Sequence, residues 1–236
     1  MTMNRIRKAT LQLTDDGLDP QMTDRLLTTT RAVRQRLDLT RDVPQHLLTQ
    51  CIEIATQAPT GANRQRWRWI VVRDADRRAA LADVYRRGYA DYIAPQLSEL
   101  DTATGHAARI HQSAQHLVAH LHEVPVIVVP CLLHRLDPNA PTEELASSFG
   151  EILPAVWSLQ LALRSRGIGS AWTTLHLRYE EDAAEILELP DTVTQVALLP
   201  VAYYTGSTFR RAPRRPVEEV IYAECWKRPL PEGGPA

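Results

Sequence analysis

The 236-residue chain has almost no excess charge: 27 Lys and Arg stand against 28 Asp and Glu, a formal net of -1. A surface so balanced lacks the global field that would gather nucleic acid or an anionic membrane. Lysine is nearly missing, standing only at Lys8 and Lys227, so the basic side chains are arginines. Cysteine is scarce and odd in number. Cys51, Cys131 and Cys225 lie far apart and form no CxxC pair, which excludes a zinc ribbon or thioredoxin motif and argues against a disulfide scaffold. Reduced thiols fit a cytoplasmic protein. The N-terminus has basic residues but no apolar run of a signal peptide. The longest apolar stretch, Pro125–Leu133, is too short to cross a bilayer. No GxGxxG or GxxxxGK[ST] turn follows any candidate strand, so neither a Rossmann dinucleotide domain nor a P-loop is supported. There is no HExxH and no internal repeat.

What is present is an ordinary soluble composition, 44% hydrophobic and 23% charged, in a chain long enough to bury a core without staples. Residues 1–19 read as a flexible arm, 20–226 as the main domain and 227–236 as a tail. A helix is expected from Asp19-Pro20 to about Leu37, with Met22, Leu26, Leu27 and Val33 apolar. A second helix starts at Val43-Pro44, and its broad apolar face holds Leu47, Leu48, Cys51, Ile52, Ile54 and Ala55. Trp67–Val72 reads as a buried strand, Asp74 to about Tyr92 as a helix capped by Asp74 or Asp76, and Ala108–His122 as another helix. Pro125–Leu133 is a second strand, rich in β-branched residues. A long helix is expected over 144–166, kinked or divided at Pro154 and stopped at Gly167. Ser170–Leu175 and Val196–Tyr204 are further strands, with a short helix at Glu180–Leu189 between them and a last helix over Val217–Cys225. A small sheet wrapped in many helices is an α+β, three-layer arrangement.

Four passages can carry chemistry. Arg31 and Arg34 are three apart near a helix end, where two guanidiniums on one face suit either a solvated basic surface or a phosphate grip. Ala58–Trp67 takes a helix through a small polar loop into a strand. Gly61 and Ala62 are small enough for close approach to a flat ring, and Asn63 and Gln65 bring amides; a plain connection is the alternative. Residues 161–175 run from a helix through Gly167-Ile168-Gly169-Ser170 into Trp172-Thr173-Thr174-Leu175, a unit that also occurs in any α/β protein with a glycine C-cap. Last, Leu199–Gly206 precedes an arginine cluster, Arg210, Arg211, Arg214 and Arg215, which Glu218 and Glu219 can neutralise.

In this order, the four passages resemble the FMN-dependent nitroreductase family over about residues 27–222. The Arg31–Arg36 and Gly167–His176 segments are most similar to the actinobacterial nitroreductase-like oxidoreductases, whose motifs read TTTR-x-VR and GLGS-x-WTTLH. The resemblance implies a nitroreductase-like α-β-α fold with a small, mostly antiparallel sheet flanked by helices, assembled as an intertwined homodimer with FMN at the subunit interface. It implies that Arg31, Ala32, Val33 and Arg34 hold the FMN phosphate, joined by Arg214 of the Arg-x-Pro before the last helix and by Arg211. Pro59, Thr60, Gly61, Asn63 and Gln65 then meet the flavin ring from the partner. Thr173, Thr174 and Leu175 lie near flavin N5, with a backbone N–H at Thr174 or Leu175 facing it, and Arg34 is placed to stabilise the reduced ring. No side chain is the reactive group; flavin N5 is. The implied activity is ping-pong hydride transfer from NAD(P)H to nitroaromatics, quinones or similar small electrophiles. The alternatives are a flavin-fragmenting enzyme similar to the dimethylbenzimidazole synthases, and an FMN-binding protein without turnover.

Two departures stand out. The family usually has serine where this chain has Ala32, removing one phosphate hydrogen bond. Arg66 stands where proline often precedes Trp67. Of the histidines, His106, His111, His116, His120 and His122 crowd one segment; His116 and His120 have i, i+4 spacing, but no metal site is expected, because no ligand set completes them. Cys51 is read as core, and His176 either lines the site or ends a strand. The long helix, apolar at Ile152, Leu153, Val156, Leu159 and Leu163, serves either a dimer core or burial within one chain.

Overall fold

The computed structural model describes residues 17–96, 104–207 and 209–231, with His106 described for its backbone only. The expected arm therefore lies outside the described residues up to residue 16. Residues 30–207 form one compact unit; the described parts of 1–29 and 208–236 form another.

The larger unit is built on five short strands: β1 Trp67–Val72, β2 Val126–Leu132, β3 Ile168–Ser170, β4 Thr194–Gln195 and β5 Leu199–Tyr203. The order is β1-β2-β5-β3, with β4 also pairing β2, and every pairing is antiparallel. β4 and β5 flank successive parts of β2, and the Val196 N–H donates to the Pro130 carbonyl between them at 2.9 Å. All seven residues of β2 are buried. Because side chains alternate across a strand, a fully buried strand must be covered on both faces, as three layers require.

On one face Val126, Val128 and Leu132 join a core with Leu48, Cys51 and Ala55 of α2 (Gln45–Ala55) and with Ile152, Ala155, Val156, Leu159 and Leu163 of α5 (Thr142–Ser165). The long-helix residues Ile152, Val156, Leu159 and Leu163 are thus buried within their own chain. A different stripe of α5, Phe149, Leu153 and Trp157 at i, i+4 and i+8, is exposed. Pro154 sits in this helix without ending it. The remaining helices are α3 (Ala75–Ile93), α4 (Gly105–His120) and α6 (Glu180–Leu187). Asp74 caps α3, its carboxylate accepting from the Arg77 N–H at 2.9 Å. Gly167, at φ 75°, takes the left-handed turn that stops α5.

In the smaller unit, α1 (Pro20–Thr29) is capped by Asp19, which accepts from the Gln21 and Met22 N–H groups. It buries no residue, and Met22 and Leu27 are exposed. Over 209–231, Val217, Val220, Trp226 and Leu230 are exposed, and Tyr222 meets Trp226 edge-on at 4.9 Å.

Three boundaries depart from expectation. α1 ends at Thr29, eight residues before Leu37, because the chain from Thr30 leaves its own helical bonds for a strand. The expected strand 170–175 is shortened to Ile168–Ser170, after which Thr173 makes only an isolated bridge to Leu198. The expected last helix contracts to a 3-10 turn at Val217–Glu219.

Candidate functional site

Two neighbourhoods collect the residues singled out in the sequence. In the first, the arginine segment is irregular rather than helical, with a turn opening at Arg34, so Arg31 and Arg34 do not share a helix face. The Val33 N–H donates to the Ser170 carbonyl at 2.9 Å, adding the segment to the edge of β3. Val33 is buried, and a Cβ on Gly169 would lie 3.0 Å from its side chain, so glycine lets the segment close on the strand. Leu37 then bridges Tyr204, and the Arg36 Nε–H donates to the Thr205 carbonyl at 2.6 Å. Arg31 and Ala32 are left exposed and Arg34 half-buried. Among the described residues, no ion pair involves either Arg31 or Arg34.

The same neighbourhood takes in α3 and the turn after β3. Thr173 is tied to Leu198 by its own N–H (3.2 Å) and by its hydroxyl (2.6 Å), both donating to the Leu198 carbonyl. Thr174 is exposed, and Leu175 opens a 3-10 turn to Tyr179 rather than continuing a strand. Gly88 of α3 packs so tightly here that an added Cβ would sit 2.0 Å from the Leu175 carbonyl oxygen. Burial pushes the Tyr85 hydroxyl up to about 12, and the Arg34 charge acts against that rise, so Arg34 lies near α3 as well. His176 is fully buried with both ring nitrogens lacking a protein partner, and burial pushes it down to about 4. It is a neutral interior histidine, not one lining an open site.

The second neighbourhood is the loop from Pro59 to Gln65. Ala62, Asn63 and Gln65 have φ of 52°, 54° and 50°. Left-handed backbone costs a non-glycine residue about 1–2 kcal/mol, and such strain collects at functional sites. The Gln65 N–H donates to the Thr60 hydroxyl at 3.3 Å, and the Gln65 amide donates to the Asn63 side-chain oxygen at 2.9 Å. Thr60 is half-buried; Pro59, Gly61, Asn63 and Gln65 are exposed.

Below this loop lies a residue that the motifs missed. Glu151 of α5 has a side chain only 1% exposed and receives two hydrogen bonds from Arg66, both at 2.9 Å. Arg64 approaches the same carboxylate at 3.7 Å. The bond to Glu151 holds the Arg66 guanidinium above its ordinary value. His134 donates to or accepts from Ser148 at 3.0 Å and is held below its usual value by burial and then by Arg66. The sequence signal was available: Glu151 stands in phase with Ala155 and Leu159, a carboxylate on the buried stripe of an apolar helix.

α5 touches both neighbourhoods. Gln160, nine residues after Glu151, donates to the buried Ser170 hydroxyl at 3.1 Å; nine residues are about 14 Å of helix. Arg211 and Arg214 belong to the other unit, where both are exposed; Arg214 donates to the Pro213 carbonyl and Arg215 lies 3.9 Å from Glu219.

The histidine segment forms local pairs: His116 and His120 rings are 4.5 Å apart, Glu123 bonds His120 at 2.7 Å, and His111 meets the Tyr89 hydroxyl at 3.2 Å. Among the described residues no group of three or more His, Cys, Asp or Glu side chains is arranged to hold a metal. A cleft at Glu180–Val193 is lined by Arg135 and four carboxylates and contains none of the residues discussed above. Cys51 is core, and burial pushes the Cys131 thiol up to about 12. Among the described residues, no helix is long and apolar enough to cross a membrane.

The fold is shared with known flavoproteins and nitroreductases. A BluB-like flavoprotein from Clostridium difficile 630 superimposes with a TM-score of 0.64 at 18% identity, over 85% of this chain and 98% of that one. An oxidized iodotyrosine deiodinase bound to FMN and 3-iodo-L-tyrosine gives 0.63 at 21%, over 85% and 97%. An FMN and NADPH-dependent nitroreductase, NfnB, from sphigopyxis sp. strain HMH gives 0.62 at 20%, over 86% and 99%. The model of the nitroreductase family matches residues 27–203, from α1 through β5, and this chain belongs to that family.

Proposed function

We propose that this protein is an FMN-dependent NAD(P)H oxidoreductase that reduces nitroaromatics, quinones or related electrophiles. The observation that carries the reading is the Arg31–Arg34 segment: two arginines without a carboxylate partner among the described residues, fixed by a backbone bond to β3 beside the Thr173–Leu175 turn. Paired guanidiniums suit a phosphate dianion, so the residues present fit the phosphate end of FMN. Arg31 and Arg34 would hold it, with Arg214 and Arg211 as the second arginine source. Thr173, Thr174 and Leu175 would present backbone near the ring, and the strained Pro59–Gln65 loop would press on its face. Bound FMN would supply reversible hydride transfer at N5, alternately with a nicotinamide donor and an acceptor. The chain's own contribution is orientation, and Arg34 would offset negative charge gained on reduction.

A homodimer follows from the same reading. The exposed stripe Phe149, Leu153 and Trp157 on α5 and the exposed Val217, Val220, Trp226 and Leu230 supply apolar surface for a second copy. The three unpaired thiols favour a reducing compartment, the cytoplasm. Ala32, exposed and without a hydroxyl, favours a second reading, an FMN-binding protein without turnover.

The decisive measurement is the visible spectrum of the pure protein before and after NADPH under nitrogen. A flavin band that bleaches supports the enzyme. A band that persists, with no quinone-stimulated NAD(P)H oxidation, supports the second reading. Arg31→Ala and Arg214→Ala are each expected to yield flavin-depleted protein; full yellow occupancy in both would refute the phosphate assignment.

A further inference from the structure

We propose that the pair of half-buried Arg66 and buried Glu151 is a clasp that fixes the strained Thr60–Gln65 loop in its flavin-facing shape, making Glu151 a positioning residue for the cofactor. The inference rests on the flavin reading above, which gives the loop its partner, and adds to it a residue 85 positions away in sequence.

The loop has little else to hold it. Three of its residues are in left-handed backbone, a shape persisting only where surroundings over-determine it. The bonds within the loop are short-range and solvent-exposed: Arg64 to the Gly61 carbonyl, Gln65 to Thr60, and Gln65 to Asn63. Two long-range ties reach its C-terminal end: the Leu133 N–H donates to the Arg66 carbonyl at 2.8 Å, and the Arg66 side chain is tied to α5. Arg66 forks onto both oxygens of Glu151, Arg64 approaches from the loop itself, and a Cβ on Gly61 would lie 3.5 Å from the same carboxylate. The loop is therefore folded directly over one buried carboxylate that faces two arginines at its own C-terminal end.

A buried ion pair is a poor choice for stability alone, since apolar residues of similar size do as well or better. What a fork-to-carboxylate contact supplies is a fixed direction. Arg66 directly precedes β1, whose Trp67 is anchored in the core. The Leu133 bond holds the Arg66 backbone to the sheet, and the bond from its side chain to α5 adds a second, fixed direction where the loop leaves it.

The test separates shape from stability. Arg66→Met, Glu151→Leu and the double variant are compared as full-length protein by three measurements: thermal midpoint, amide hydrogen exchange of residues 59–66 without added FMN, and FMN dissociation constant. Each single variant leaves one charge without its close partner and melts lower. The double variant removes both charges and melts at or above the unsubstituted protein. Its loop nevertheless exchanges faster and its FMN binding weakens, each by about ten- to a hundredfold, the worth of charged hydrogen bonds. A double variant with the original loop protection and FMN affinity overturns the clasp, because a pair that only stabilises the fold would be fully replaced. If the unsubstituted protein takes up no FMN, the flavin reading fails by itself, and loop exchange in the double variant still decides the clasp: faster supports it, unchanged overturns it.

Discussion

The Arg31–Arg34 segment and the Thr60–Gln65 loop are both short, irregular and largely exposed, yet different forces hold them. The first is stitched to β3 by a main-chain hydrogen bond, and Val33 is driven into the core. The second buries nothing of its own; it is strained, and it is held through Arg66 by one buried carboxylate. The first hold is shared between the Val33 bond to β3, the Asp38 N–H to the Tyr203 carbonyl, and the buried Val33 side chain. A clasp is concentrated in two side chains. The first neighbourhood is therefore expected to tolerate single changes that the second does not.

The largest effect tests that concentration. Arg66→Met strands Glu151, 1% exposed, with only the longer contact to Arg64. Breaking a buried pair from one side costs about 3–5 kcal/mol, read from urea unfolding at neutral pH. A loss below about 1 kcal/mol, the range of exposed pairs, would erase the contrast between the two regions.

Next is the interior histidine beside the first neighbourhood. His176 is pushed down to about 4 by burial, below its value in an unfolded chain. The unfolded state therefore binds the proton first as pH falls. The protonation-linked cost of His176 is absent above about pH 6.5, and stability is lost progressively from there toward pH 4, by about 3 kcal/mol in all. His176→Leu removes this one-proton dependence. A variant whose unfolding free energy keeps the same slope between pH 6.5 and 4 would show that other groups govern acid sensitivity.

A smaller change probes the wall shared by α3 and the 173–175 turn. Gly88→Ala places a methyl 2.0 Å from the Leu175 carbonyl oxygen, which is backbone and must move. Overpacking of this kind costs about 1–3 kcal/mol. Because the displaced atom belongs to the turn expected near flavin N5, the visible circular dichroism of bound FMN should change too. Unchanged stability would mean that the turn is not rigidly held and that redundancy in this neighbourhood stops at β3.

How much of this was legible follows the same division. β1 and β2 were readable because each is a run of apolar residues rich in valine and isoleucine, whose burial is local in sequence. Asp74 announced its helix by a short side chain at the capping position. The end of α1 was not readable: nothing between Thr29 and Leu37 breaks a helix, and the bonds that take the segment away come from Ser170 and Tyr203, far along the chain. β3 and β4 are three and two residues long, below any periodic signal. In the candidate site, Arg31 and Gly61 were singled out because neighbouring residues formed a motif. Glu151 was not: its place on the buried stripe was legible, but its partner Arg66, 85 residues away, was not.

The smallest prediction concerns the position where the first neighbourhood looks incomplete. Ala32 is exposed between Arg31 and Val33, on backbone that the Val33–Ser170 bond already fixes. A serine there adds one hydroxyl without ordering any new backbone, so Ala32→Ser should leave stability within about 0.5 kcal/mol. If the segment grips a phosphate, the new hydrogen bond is worth about 0.5–1.5 kcal/mol, a two- to tenfold tighter FMN dissociation constant. The comparison with Arg31→Ala gives the result its direction: one substitution should add to the grip where the other subtracts. Tighter binding with unchanged melting would place the phosphate beside residue 32. Unchanged affinity would put the phosphate elsewhere and leave Arg31 and Arg34 as a basic face on the edge of β3.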